Sequence, residues 1–140
     1  MLNEWVFLYF TVFGLGTVFF LTESRLSKKK TAFLEGGAVV CLVLLEWVLY
    51  RRFGQERFLQ LFFFSVHLPC LLLSWLISKK RDTRIFFVLF LTIMYCSFAL
   101  QAMSLVFLLT EGSAAAAWLS LVCITGAMTA FTAFYFRAAF

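Results

Sequence analysis

Ionisable and soft side chains lying inside apolar runs are where this chain could do chemistry. Glu35 and Glu46 share one run, and His67, the only histidine, lies in the next. Glu35 and Glu46 are 11 residues apart. On a helix that is three turns on nearly the same face, but the rise of about 16 Å is too long for a carboxylate dyad. Such a pair could line a proton or cation path, because ionisable groups in lipid are costly and usually functional. A positional reading competes with this. Glu35 sits near the positive end of its helix dipole and near Lys28, Lys29 and Lys30, and Glu46 is close enough to Arg51 for both to snorkel.

Cys41, Cys70, Cys96 and Cys123 each fall near the middle of an apolar run, with Met94, Met103 and Met128 in the same shell. Soft ligands at one depth could hold a metal. No CxxC or His-x-x-x-His spacing is present, so the expectation is no metal and no cofactor. Cysteine and methionine then act as packing groups, and His67 as an interhelical polar contact. Pro69 removes a backbone donor and should kink its helix near Ser65–His67, as a hinge or as a static packing device. P-loop, HExxH and G-x-S-x-G patterns are missing from the 140 residues. The chain is expected not to be an enzyme.

The elements that must position these residues follow from composition. The chain is 64% hydrophobic and 14% charged. Soluble domains are about 45–50% apolar and about 25% charged, so the excess needs lipid. Five runs approach the roughly 20 residues of a spanning helix, at about 5–21, 31–50, 58–77, 85–110 and 114–136. Backbone groups in lipid must pair internally, so the fold class is all-α: a polytopic membrane helix bundle of five transmembrane helices in a single domain, residues 1–140. The first run lacks a basic n-region and reads as a retained anchor. Short connections predict an up-down order. Gly36 and Gly37, and Gly126 with Ala130 and Ala133, are expected to allow close helix contact, while Ser97, Gln101 and Ser104 offer interhelical hydrogen bonds.

Orientation comes from the basic residues. Arg25, Lys28, Lys29 and Lys30, then Lys79, Lys80, Arg81 and Arg84, and finally Arg137 fall on one side, against Arg51, Arg52 and Arg57 on the other. The larger set marks the cytoplasmic side, which places the N-terminus outside and the C-terminus inside. Trp5, Trp47, Tyr50, Trp75, Trp118 and Tyr135 lie near helix ends as interface anchors. With a net charge of +5 in short clusters, the partner is the anionic lipid bilayer and not nucleic acid.

The run Pro69-x8-Ser78-Lys79-x-Arg81-Asp82-x-Arg84-x-Phe86-Phe87 resembles the membrane-embedded sensor region of GHKL-type sensor histidine kinases of bacteria. It covers about one span and a half, and is a loop signature without catalytic residues. The resemblance implies a multi-pass protein of the bacterial plasma membrane working in a two-component system. It also implies a homodimer that couples an external or lipid-borne signal to a cytoplasmic kinase or response-regulator pathway. The loop residues Ser78, Lys79, Arg81, Asp82 and Arg84 would act in coupling or as a topology anchor. The chain as given stops at Phe140, short of a phosphoacceptor helix or ATP-binding domain, so it is expected to supply input without phosphotransfer. The competing expectation is a small proton-coupled transporter using Glu35 and Glu46 with His67.

Overall fold

The computed structural model describes residues 4–79 and 83–136. They form α1 (Glu4–Leu21), α2 (Lys28–Phe62), a π-helical turn (Phe63–His67), α3 (Leu68–Ile77), α4 (Arg84–Leu109) and α5 (Ala114–Phe131), which ends in a second π turn (Thr132–Phe136). The molecule is all-helical. Among the described residues, α1, α2, α4 and α5 are long and apolar enough to cross a membrane, and residues 64–77 form a shorter apolar helix.

The expected loop at residues 51–57 is instead almost entirely helical. Only Gly54 departs, with φ 77° and ψ 172°. Arg51, Arg52, Gln55, Glu56 and Arg57 are good helix formers, so the expected break between the two apolar runs is confined to Gly54 and the charged residues on either side stay helical. The same reasoning moves the start of α2 back to Lys28, three residues before Thr31. Residues 55–77 are broken again at Phe63–His67, immediately before Pro69. Proline offers no N–H to the carbonyl four residues earlier, and a π turn absorbs that mismatch. Between α4 and α5, Glu111 and Gly112 take left-handed φ angles of 55° and 88°. The Gly112 amide donates to the Phe107 carbonyl at 2.9 Å, closing α4 in the manner of a Schellman turn. The Ser113 hydroxyl then caps α5 by accepting from the Ala116 amide at 3.3 Å.

The bundle is built around α1. Its sequence, EWVFLYFTVFGLGTVFFL, is apolar on all sides; one side is buried against neighbouring helices, and Trp5, Val12, Gly16 and Phe20 form an exposed outer face. Against α2 it pairs in opposite directions. Glu4 meets Arg51 at 3.0 Å, the Phe7 and Tyr50 rings lie 6.0 Å apart, Thr11 lies beside Glu46, and Leu15 and Val18 pack with Leu42. Against α4 and α5, Val6 and Phe10 join Ala99, Met103, Ala117 and Leu121 in one core cluster. Phe7, Tyr50, Phe58 and Phe62 interlock edge-on or tilted across the Gly54 break, and Phe58 is fully buried.

The hydroxyl chemistry differs from the expectation. Thr17, Thr92 and Ser104 donate to carbonyls four residues earlier on their own helices, and Gln101 and Ser97 face outward. Two hydroxyl pairs do bond between helices, Tyr9 Oη with Thr125 Oγ1 at 2.6 Å and Thr132 Oγ1 with Tyr95 Oη at 3.2 Å. A hydroxyl already bonded to its own helix has no need of a neighbour in lipid. Gly36, Gly37 and Gly126 are likewise not contact points within this chain, since a Cβ at each would meet nothing within 4 Å.

Candidate functional site

A cavity of about 290 Å³ lies between α1, residues 59–70 and α4. Its inner wall is the buried side of α1, including Phe10, Gly14, Leu15 and Val18. Gly14 faces α4, where a Cβ would come into ordinary van der Waals contact with the Thr92 methyl at 3.4 Å and the Cys96 sulfur at 3.8 Å. The second wall is the π turn and the residues flanking it: Phe62, Val66, His67 and Cys70. The third wall is α4, with Leu89, Thr92, Ile93, Cys96 and Ser97. Leu59 and Ser97 belong to the lining yet are exposed, so the opening lies between residues 59–67 and α4. Asp, Glu, Lys and Arg are all missing from the lining, and His67 is its one titratable base.

His67 is half-buried, with its ring edge-on to Phe62 at 5.1 Å. Cys70 and Cys96 reach the cavity from facing helices, whereas Cys41 and Cys123 are exposed on the outside of the bundle. The four cysteines therefore do not converge. Among the described residues, no group of three or more His, Cys, Asp or Glu side chains is placed to hold a metal ion.

Glu46 stands apart from the cavity. It is 1% exposed, and neither carboxylate oxygen meets a hydrogen-bond partner among the described residues. Thr11, which also lines the cavity, lies beside it, and its hydroxyl likewise meets no hydrogen-bond partner among the described residues. Glu35 is only half-buried and lies on the same helix three turns away, so the two glutamates form no joint site. Thr11, Gly14 and the inner side of α1 are the site residues that motif reading missed. Their one sequence signal is the threonines and glycines scattered through an otherwise uniformly apolar helix.

The basic loop is tied to the first loop. The Arg25 amide donates to the Ile77 carbonyl at 2.9 Å and the Lys79 amide to the Glu23 carbonyl at 2.8 Å, an antiparallel bridge centred on Ser24 and Ser78. Ser78 is buried, and its amide also closes α3 on the Ser74 carbonyl. Lys79 Nζ stands 3.4 Å from Glu23 Oε1, with both side chains more than half exposed, so the ion pair adds little beyond the backbone bonds. Arg84 begins α4 and is exposed. Arg81 and Asp82 lie outside the described residues, as does Arg137.

Fold and site together define an all-helical bundle with several helices apolar enough to span a membrane, holding an apolar cavity at its centre. Compared with protein families, with curated proteins and with solved structures, the chain matches none.

Proposed function

We propose that the chain is a multi-pass sensor-like module of the bacterial plasma membrane, the signal-input part of a system resembling the GHKL-type sensor histidine kinases. It crosses the bilayer five times, with the N-terminus outside and the basic loops and C-terminus in the cytoplasm. It carries no catalytic chemistry of its own and passes its state, as a homodimer, to a cytoplasmic kinase or response-regulator pathway. The carrying observation is a shared wall. The π turn that lines the cavity leads through Pro69 and α3 directly into the bridge between Ser24 and Ser78. A change in what fills the cavity bears on Val66 and His67, and the ten residues of α3 carry that change to the loop pair. π turns within helices recur at functional sites.

The test is a fusion of a histidine-kinase catalytic region after Phe140, reconstituted in nanodiscs. Ser97→Phe, which fills the cavity opening, is expected to change autophosphorylation. Lys79→Pro, which removes the amide that donates to the Glu23 carbonyl and so breaks the bridge, is expected to abolish that difference. A folded fusion whose activity ignores both substitutions overturns the reading.

One observation favours the proton-coupled transporter as a second reading, the buried Glu46 carboxyl without a hydrogen-bond partner among the described residues. That reading predicts that Glu46→Gln abolishes ethidium movement driven by a pH gradient in proteoliposomes. Absent flux in the unsubstituted protein, or flux that survives Glu46→Gln, removes it.

A further inference from the structure

The geometry points to a binding site for one uncharged acyl chain of a membrane lipid, entering the central cavity sideways between residues 59–67 and α4. This deepens the sensor reading by naming the class of ligand, and it rests on that reading for its signalling role alone.

Three observations carry it. The first is the opening. Leu59 is 48% exposed and Ser97 is exposed, yet both line the cavity, so its entrance is framed by side chains on the outer, lipid-facing surface of the bundle. A ligand reaching it comes from the hydrocarbon. The second is the chemistry of the wall. No carboxylate, lysine or arginine lines it, so it offers an ionic headgroup no counter-charge, while phenylalanine, leucine and valine suit methylenes. The third is size. About 290 Å³ is space for roughly ten groups as large as a water molecule, which suits the distal part of one chain. It falls just short of the pockets of about 300–1,000 Å³ that take drug-sized molecules. Close packing makes an empty apolar space of this size unfavourable when methylenes lie at its mouth. The chain end would lie against Gly14, where the missing side chain deepens the space, and beside Val66 and His67 of the π turn.

The test uses the full chain in nanodiscs that contain a phosphatidylcholine with a mid-chain diazirine. After irradiation, adducts are mapped residue by residue by tandem mass spectrometry. Phe10, Leu15 and Val18 are 8%, 2% and 1% exposed, so surrounding lipid does not reach them, whereas Val12 and Phe20 are 49% and 40% exposed and serve as controls. The expected result is adducts on Phe10, Leu15 or Val18. Ser97→Phe, and separately Leu59→Trp from the opposite rim, should reduce these at least about fivefold and leave Val12 and Phe20 labelling unchanged. Both substitutions replace exposed side chains, so the core is undisturbed, and the control adducts report that the fold is intact. Adducts confined to Val12, Phe20 and other exposed positions overturn the proposal, as do inner-wall adducts that persist in both variants. That failure would concern occupancy alone, because the kinase fusion reads signalling and not the identity of the ligand.

Discussion

Gly54→Ala tests whether a single backbone conformation breaks α2 into two helical segments. Gly54 has φ 77° and ψ 172°, a region essentially restricted to glycine. A Cβ there would meet nothing within 4 Å, so the penalty is purely one of backbone conformation and not of crowding. Holding a side-chain-bearing residue in this region costs about 1–3 kcal/mol. The narrower unfolded ensemble of alanine returns about 0.4–1 kcal/mol. The net expectation is a loss of about 1–2 kcal/mol, roughly a tenfold change in the folding constant. Reversible unfolding in mixed dodecylmaltoside and SDS micelles, followed by circular dichroism, measures it. Gly36→Ala and Gly126→Ala are the controls, since both glycines are helical with open space at the Cβ position. They should gain about 0.5–1 kcal/mol. A Gly54→Ala protein as stable as the original refutes the conformation given for the turn. A Gly36→Ala protein that is destabilised instead would mean that something presses on that face, as a second copy in a homodimer would.

Glu46→Leu should raise the thermal midpoint, because an unsatisfied buried polar group costs about 1–3 kcal/mol. A lowered midpoint would mean that the carboxyl has a partner such as a bound cation. Tyr9→Phe should cost about 0.6 kcal/mol, the average for an interhelical hydrogen bond in a membrane protein, since Thr125 still donates to the Leu121 carbonyl. A double-mutant cycle with Thr125→Val measures it, and a coupling near zero rejects the bond. Arg51→Ala should cost about 1 kcal/mol or less, because Arg51 is 61% exposed although it binds both Glu4 oxygens at 3.0 Å. Unfolding at low and high salt should show that cost shrinking with screening, and a salt-independent loss would point to the Trp47 ring beneath the guanidinium as the main contact.

The helical class and the positions of the apolar helices were legible in the sequence, since 140 residues with 64% hydrophobic content and runs near 20 residues have few other solutions in lipid. Their ends were less so. Hydropathy locates the end of each apolar run, whereas Lys28 and the arginines on either side of Gly54 are themselves helical. The irregularity beside Pro69 was legible because proline lacks a donor, and the π turn at Phe63–His67 is its local form. The cavity was not legible, although His67, Cys70 and Cys96 had drawn notice one at a time. The sequence brought attention to residues 67–87, whereas the structure builds its centre from α1.

The sequence alone settles the helical backbone, the presence of several helices long and apolar enough to span a membrane, and the grouping of basic residues between apolar runs. Each of these depends on composition and on position along one chain. Tertiary structure alone decided which side of α1 meets α4, which glycines touch a neighbour, and that Ser24 and Ser78 join two loops. The reason is physical. In water, a polar stripe tells the outer side of a helix from the inner. In a bilayer, lipid and neighbouring helix are equally apolar, so the stripe disappears and packing chooses the partners.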